Sequence, residues 1–164
     1  MTAKSTAFES HDHSDCADTI LDHADALAHS KTIRLTPVRR RVLEILTEAH
    51  QALGAYDVLD RLRQDGFGSQ PPVAYRALDY LVEHGLVHRI RRLNAFTACT
   101  VVGDGGHAPV FLICETCDTV AELSGTQTAA SLRQEASENG LKISRMSIEA
   151  SGTCRACSEA KHAD

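Results

Sequence analysis

Apolar residues recur at helical spacing in three successive segments of the first half of the chain. The second segment begins at Thr36, an N-cap residue followed by Pro37 in the first helical position. The third is predicted from about Ala55 to Asp65, where Gly66 stops it. The predicted core positions are Ile20, Leu21, Ala24, Leu27 and Ala28 in the first helix, Val38, Val42, Ile45, Leu46 and Ala49 in the second, and Val58, Leu59 and Leu62 in the third.

A fourth helix and a β-hairpin follow. The helix is predicted to start near the Pro71-Pro72 pair and to end at Gly85, a residue suited to the left-handed position after a helix. The next segment, LVHRIRRLNAFTACT, alternates apolar and polar positions around a turn at Leu93 and Asn94. The predicted core positions of the fourth helix are Val73, Ala77, Leu78, Leu81 and Val82. Helices followed by a hairpin predict a winged helix-turn-helix.

The last third of the chain is predicted to contain strands and one helix. PVFLIC and TVAEL form short apolar strands, and LKISRMSIEA forms a longer one. Between them, Ser124 and Gln127 resemble a capping box for a helix that runs to about Asn139 and is ended by Gly140. A small mixed sheet with one helix leaves an edge or face exposed, which favours dimerisation.

The chain of 164 residues is long enough for one domain or two small ones. We predict an α+β protein with an acidic, mobile tail at residues 1–16 and a winged-helix domain at 17–98. A hinge at 99–107 leads to an α/β dimerisation domain at 108–164. In the tail, metal binding is an open alternative to mobility, since His11, His13 and Cys16 lie there beside acidic residues.

The net charge of −5 is unevenly distributed. Residues 1–30 carry a net charge of −5, residues 31–92 carry +4, and residues 93–164 carry −4. A basic module between acidic flanks points to an anionic partner such as nucleic acid, although a solvated helix face is the alternative. The sequence has no apolar run of 18 residues and no signal-like N-terminus, so we expect a cytoplasmic protein.

Two Cys-x-x-Cys pairs lie in the last third of the chain. Four thiols arranged as Cys114/Cys117 and Cys154/Cys157 are typical of a closed, structural Zn²⁺ site, which prefers four ligands about 2.3 Å from the metal. A redox pair or a disulfide framework is the alternative. A reducing cytosol, which keeps thiols free, agrees with zinc.

The ordered motifs TPVRRRVLEIL, AYDVLDRLR, PPVAYRALDYLVEHGLVHRI and FLICETCDTVAEL, closed by CRAC, resemble the ferric uptake regulator superfamily, and most closely its zinc uptake regulator branch. The similarity covers about Leu35 to Cys157. The resemblance implies a homodimer with an N-terminal winged-helix DNA-binding domain and a C-terminal α/β dimerisation domain. It also implies zinc-dependent repression of zinc-uptake genes through operator DNA.

The resemblance further implies a regulatory zinc site, separate from the four paired cysteines. Its residues match the sensing positions of the zinc branch and are His88, Cys99, His107 and Glu122. Two imidazoles, one thiolate and one carboxylate suit tetrahedral Zn²⁺, whereas an iron sensor is expected to use histidines and carboxylates. Taken singly, each residue also has an ordinary structural explanation. Together they predict one structural and one regulatory Zn²⁺ per protomer.

Residue types suggest how DNA would be contacted. The N-terminal turn of the fourth helix would face the bases, with Arg76 pairing with a guanine and Tyr75 contacting a base edge or a thymine methyl group. The other basic residues are predicted to neutralise phosphates, with surface solubility as the alternative. These residues are Lys31, Arg34, Arg39, Arg40, Arg89, Arg91 and Arg92.

Two further functional hypotheses stay open. One is an iron-, manganese- or peroxide-responsive regulator of the same superfamily. The other is a thiol oxidoreductase or redox sensor that uses one Cys-x-x-Cys pair. The sequence contains no nucleophile triad motif, phosphate-binding glycine loop or H-E-x-x-H motif, so we expect no enzyme activity and no membrane partner.

Overall fold

The computed structural model describes residue 8 and residues 14–30, 32–48, 51–101 and 108–161. The chain divides into two compact units at residues 103 and 104, within the predicted hinge. We refer to residues 14–101 as the N-terminal unit and to residues 108–161 as the C-terminal unit. None of the helices in these ranges is long and apolar enough to cross a membrane.

The N-terminal unit contains four helices and a hairpin. They are α1 (Ser14–His29), α2 (Pro37–Thr47), α3 (Ala55–Gln64), α4 (Pro71–Glu83), β1 (Val87–Ile90) and β2 (Ala95–Ala98). The predicted helix ends are confirmed: the Thr36 hydroxyl accepts the Arg39 N–H at 3.4 Å, and Gly66 and Gly85 have positive φ just beyond α3 and α4. Helix α1 begins at Ser14, three residues before residue 17, where the winged-helix domain was predicted to start.

One hydrophobic core joins these helices to the hairpin. Most of the predicted positions are buried, and Leu43 joins them. Val82 was predicted to be buried and is instead 36% exposed. Its neighbours Leu78 and Leu81 already occupy the inward stripe of α4, and the next position turns away from it. Ala49 lies outside the described residues.

Strands β1 and β2 form an antiparallel hairpin, the wing, with Val87 opposite Ala98 and Ile90 opposite Ala95. Residues 91–94 connect them, and Asn94 takes a left-handed φ of 47°. The predicted turn at Leu93 and Asn94 falls within this connection. Two backbone hydrogen bonds between Leu53 and Phe96, of 2.9 and 2.8 Å, attach the segment before α3 to the wing.

The C-terminal unit contains a three-stranded sheet and two helices. The elements are β3 (Val110–Cys114), β4 (Val120–Leu123), α5 (Thr126–Glu138), β5 (Ile148–Gly152) and α6 (Arg155–Lys161). The strand order is β4-β3-β5, with β3 and β4 antiparallel and β3 and β5 parallel. Phe111, which is fully buried, is the largest side chain of this unit's core.

Two expectations for this unit were wrong. Helix α5 begins at Thr126 and its N-cap is Gly125 in a left-handed conformation, so Ser124 and Gln127 do not form the capping box. The last strand is also shorter than predicted and begins only at Ile148, whose N–H donates to the Pro109 carbonyl at 3.0 Å. Proline has no N–H to continue the ladder, so the residues before Ile148 have no partner there.

Candidate metal centre and nucleic-acid interface

The first cysteine pair lies at the turn between β3 and β4. The Cys114 N–H donates to the Thr119 carbonyl at 3.0 Å, and the Asp118 N–H donates back to the Cys114 carbonyl at 3.0 Å. Asp118 has a left-handed φ of 55°. This tight turn returns Cys117 towards Cys114, which is 1% exposed at the end of β3.

The second pair follows the end of β5. Because β5 runs parallel to β3, its last residue, Gly152, lies opposite Cys114, and the Glu115 N–H donates to the Gly152 carbonyl at 2.8 Å. Cys154 precedes α6 and Cys157 lies within its first turn, since the Ser158 N–H donates to the Cys154 carbonyl at 2.9 Å. Both sulfurs of this pair lie within 4.8 Å of the sulfurs of the first pair.

The four sulfurs converge on one point. All lie within 4.8 Å of one another, and the Sγ atoms of Cys117 and Cys154 are 4.0 Å apart. A tetrahedron of thiolates about 2.3 Å from Zn²⁺ has edges of about 3.8 Å, whereas a disulfide needs about 2.05 Å. The four cysteines are free thiols. The donor set therefore fits a closed, zinc-type site and does not fit a disulfide.

Local hydrogen bonds shift the pKa values of two of these thiols in opposite directions. The Cys154 N–H donates to the Cys114 sulfur at 3.4 Å and, with the neighbouring backbone N–H groups, lowers the pKa of Cys114 to about 6. Hydrogen bonding to Cys154, followed by burial, raises the pKa of Cys157 to about 12. Four crowded sulfurs resist simultaneous ionisation, and a divalent cation removes that resistance.

Two of the predicted regulatory residues lie together in the N-terminal unit. His88 is in β1 opposite Thr97, and Cys99 follows β2, where its N–H donates to the Leu86 carbonyl at 2.9 Å. A ring nitrogen of His88 and the sulfur of Cys99 lie within 4.8 Å of each other. Cys99 is 7% exposed. The hairpin thus places one imidazole beside one thiol.

The third of these residues lies in the C-terminal unit. Glu122 is in β4 opposite Phe111 and is 8% exposed, which makes it the one buried charged side chain among the described residues. Carboxylates are rarely buried without a compensating partner. His107, the fourth residue, lies outside the described ranges. So do His11 and His13 of the tail and the side chain of Cys16.

The exposed face of α4 carries both residues predicted to read bases. Tyr75 is 41% exposed, and Arg76 is exposed and makes no ion pair with the residues that the structure describes. Tyr56 of α3, which is 65% exposed, contacts Tyr75 edge to face with ring centroids 6.5 Å apart. The sequence prediction missed Tyr56. Its signal was an aromatic residue just outside the apolar stripe of α3.

The basic residues predicted to contact phosphates differ in their surroundings. Arg40 pairs with Asp25 of α1 and with Glu44, and these contacts raise its pKa. Arg89 donates to the Asn94 side chain at 2.9 Å. Arg34, Arg91 and Arg92 are exposed, Arg39 packs on Tyr80, and Lys31 lies outside the described residues.

A winged helix-turn-helix unit together with a small sheet closed by four cysteines defines a class of metal-binding protein with a nucleic-acid-binding fold. The described geometry meets both criteria. The chain belongs to the ferric uptake regulator family, whose model matches residues 30–151.

Individual relatives cover most of the chain. It is 34% identical over 140 residues to the zinc uptake regulation protein of Escherichia coli K12, which corresponds to 85% of this chain and 82% of the relative. A solved zinc uptake regulator complexed with zinc and DNA is 32% identical, with a TM-score of 0.83 and coverage of 89% of this chain and 97% of that one. The holo form of XcZur is 31% identical, with a TM-score of 0.79 and coverage of 87% and 99%.

Proposed function

We propose that the protein is a zinc-responsive transcriptional repressor that binds operator DNA as a zinc-loaded homodimer and shuts off zinc-uptake genes in the cytoplasm. The observation that carries this proposal is the likeness, over 89% of the chain, to a zinc uptake regulator complexed with zinc and DNA. The identity of 34% to a zinc uptake regulation protein supports it independently.

The structural zinc is held by Cys114, Cys117, Cys154 and Cys157. All four ligands come from the protein, so the bound metal has no open position for catalysis. The site fastens the turn after β3 to the end of β5 and to α6, which stabilises the C-terminal unit. Such a site is filled whenever the unit is folded and does not report on the zinc supply.

The regulatory zinc is held by His88, Cys99, His107 and Glu122. The support is the His88–Cys99 pair on the wing, together with the buried carboxylate of Glu122. A thiolate ligand favours Zn²⁺, whereas an iron sensor is expected to use oxygen and nitrogen ligands. With this second metal, each protomer holds two Zn²⁺ ions.

Zinc responsiveness requires that the regulatory metal be coupled to the helix predicted to read bases. His88 and Cys99 belong to the unit that carries α4. Zinc bound at these residues therefore shifts the population of that unit towards the conformations in which Tyr75 and Arg76 can contact DNA. The coupling is limited to the difference in zinc affinity between DNA-competent and other states, typically about 1–3 kcal/mol or roughly 5- to 150-fold in operator affinity.

A homodimer is supported by the apolar surface of the C-terminal unit. Leu132 of α5 is 39% exposed and Leu141 just beyond it is 62% exposed. Helix α5 buries little more than Ala129 within its own unit. Analytical ultracentrifugation of the zinc-loaded protein should give twice the monomer mass, and a monomer would contradict this part of the proposal.

The principal experiment measures metal content and DNA binding together. Duplexes are selected from a random-sequence library by the zinc-loaded protein and then titrated at buffered free Zn²⁺, Fe²⁺ or Mn²⁺. We expect two Zn²⁺ per protomer, one of them readily exchanged, and tight DNA binding with zinc alone. Binding driven by iron or manganese instead would identify another branch of the family, and absence of DNA binding would contradict the proposal.

Two substitutions of Cys99 test the regulatory zinc site and leave the four-cysteine site intact. Cys99→Ala should reduce the metal content to one Zn²⁺ and abolish zinc-dependent DNA binding while the fold persists. Cys99→Ser, which retains an oxygen in place of sulfur, should bind zinc more weakly than the wild type. Full zinc-dependent binding by Cys99→Ala would remove Cys99 from the regulatory set.

A further inference from the structure

The backbone of Arg34, just before α2, is held from both sides. Its N–H donates to the Tyr80 hydroxyl of α4 at 2.7 Å. Its carbonyl accepts a hydrogen bond from Nη1 of Arg39 at 2.7 Å. Both partners are side chains, and one of them lies 46 positions away along the chain. The peptide groups flanking the Arg34 Cα are therefore held by one distant and one nearby side chain, although no helix or strand contains this residue.

The two side chains that hold Arg34 also hold each other. The Arg39 guanidinium lies 3.3 Å above the centroid of the Tyr80 ring, within the range of a cation–π interaction. The Tyr80 ring also stacks with His84 at a centroid distance of 4.0 Å. Arg39, Tyr80 and His84 thus form a stack in which the tyrosine is restrained by both neighbours. The Arg39 guanidinium is committed to this stack and to the Arg34 carbonyl.

The side chain of Arg34 itself is available for an external anion. It is exposed and makes no ion pair within the part of the chain that the structure describes. The two arginines of the next helical turn differ, because Arg40 pairs with Asp25 and Glu44, and Arg41 is surrounded by three carboxylates. A restrained backbone beneath a free guanidinium reduces the entropy lost when that guanidinium binds.

We propose that Arg34 is a preorganised contact for a DNA phosphate, and that Tyr80 and Arg39 are the residues that position it. This inference rests on the proposed DNA-binding function and deepens it. It differs from the sequence prediction, in which Arg34 and Arg39 contact phosphates alike. Arg39 acts here through Arg34 and does not itself touch DNA.

The first test measures the salt dependence of binding to the selected duplex with zinc-loaded protein. The slope of log K against log salt concentration is negative, and removal of one phosphate contact reduces its magnitude by about 0.9 per protomer. Arg34→Ala should show this reduction. Arg145→Ala removes an exposed arginine from the C-terminal unit and should leave the slope unchanged. An unchanged slope in Arg34→Ala would overturn the assignment of Arg34.

The second test is a double-mutant cycle. Tyr80→Phe retains the ring beneath Arg39 but removes the acceptor for the Arg34 N–H, and we expect DNA affinity about 5-fold weaker, the size of one lost hydrogen bond. In an Arg34→Ala background the same substitution should change affinity by less than about 2-fold. Equal losses in both backgrounds would mean that Tyr80 acts on the stability of the fold alone, and would overturn its positioning role.

The third test separates positioning from direct contact at Arg39. In the Arg34→Ala background, Arg39→Ala should leave the salt slope unchanged, whereas a further fall of about 0.9 per protomer would make Arg39 a phosphate contact in its own right. The outcomes also separate the two levels of the proposal. A wild-type protein that selects no duplex contradicts the proposed function. A wild type that binds, but with additive variants, contradicts only the role of Tyr80 and Arg39.

Discussion

The Sγ atoms of Cys117 and Cys154 lie 4.0 Å apart although 37 positions separate these residues along the chain. Their approach depends on the parallel pairing of β3 with β5, which places Gly152 opposite Cys114. The sheet thus builds the metal site, and a metal bound there in turn fastens the sheet. Disruption of the β3–β5 pairing should weaken metal binding, and loss of the metal should destabilise the sheet.

Loss of one thiol should release the structural zinc and destabilise the C-terminal unit. Cys114→Ser replaces the most buried of the four sulfurs with a poor zinc ligand, and we expect the free energy of unfolding to fall by at least about 3 kcal/mol, as for the loss of a structural metal. Metal analysis and chemical denaturation measure the two effects. The matched control, Cys99→Ser, should keep the structural zinc and nearly all of this stability.

The pH dependence of zinc binding to the four-cysteine site should change slope near pH 6. Zinc binds thiolates, so binding releases a proton from each thiol and the apparent affinity rises with pH. Above pH 6 Cys114, with its pKa of about 6, is already a thiolate and releases no proton, whereas Cys157, with its pKa of about 12, still does. The slope should therefore be steeper by about one proton below pH 6.

Competition against a chelator between pH 5 and pH 8 measures this slope. Cys99→Ala protein is the suitable material because it isolates the four-cysteine site. A slope that stays constant through pH 6 would contradict the unequal acidity of the two thiols.

Gly125→Ala should disturb the corner between β4 and α5. Gly125 has φ of +60°, and a Cβ there would lie 2.5 Å from Cγ2 of Val110 and 2.6 Å from the Ala108 carbonyl oxygen. Backbone strain and overpacking together should cost about 2–5 kcal/mol of the free energy of unfolding. Gly140→Ala is the matched control, since Gly140 has φ of +76° but no atom near its Cβ position. It should cost about 1–2 kcal/mol in the same denaturation experiment.

Arg41 should contribute to the stability of the N-terminal unit by linking α2 to the end of α3. Its guanidinium contacts Asp65 at 2.6 Å and Glu48 at 3.0 Å, and hydrogen bonding to Asp65 is the main cause of its raised pKa. We expect Arg41→Ala to lower the free energy of unfolding by about 1 kcal/mol, because partial exposure screens the pairs.

The loss on Arg41→Ala should shrink at high salt, which denaturation at two ionic strengths would reveal. Arg63→Ala removes a more exposed arginine, whose partner Asp60 lies 3.4 Å away, and should change stability by less than about 0.5 kcal/mol. Equal losses of unfolding free energy in the two variants would mean that the ion pairs linking α2 to α3 contribute no more than an exposed pair within one helix.

Arg76→Ala should flatten the base preference at one position in each half-site of the selected duplex. A bidentate contact with guanine is worth about 1–3 kcal/mol against a wrong base. Arg76→Lys keeps the charge but loses the planar fork, so it should bind with better affinity than the alanine variant and with a similarly flat preference. Binding to a series of single-base variants measures both, and an unchanged preference in Arg76→Ala would remove Arg76 from base recognition.

The sequence was informative wherever a structural signal is local. Thr36 and Pro37 start α2, and Gly85 follows α4, because caps depend only on neighbouring residues. The hairpin was predicted equally well, since alternation and turn residues are read within one short segment. The four cysteines were recognised because their paired spacing is itself a local pattern.

Local signals failed where distant partners decide the outcome. The start of β5 at Ile148 is fixed by Pro109, which lies just before β3 and 39 positions away along the chain. The hydrogen bond from the Arg34 N–H to the Tyr80 hydroxyl joins residues 46 positions apart, and no local sequence pattern predicts it. The regulatory set came from family resemblance, and of its four members the structure brings His88 and Cys99 together on the wing. Arg40 faces carboxylates that the sequence pattern did not reveal.

We expect the parallel pairing of β3 with β5 to form late in folding. The 33 residues between β3 and β5, numbered 115–147, separate the two strands along the chain, whereas each helix of the N-terminal unit contacts the next helix in sequence. Long loops close slowly because their entropy is lost before any contact rewards it. We therefore expect the two cysteine pairs to stay apart for an interval during refolding. During that interval the four thiols share no metal, so we expect oxidants to modify the newly made chain most readily before β3 and β5 pair.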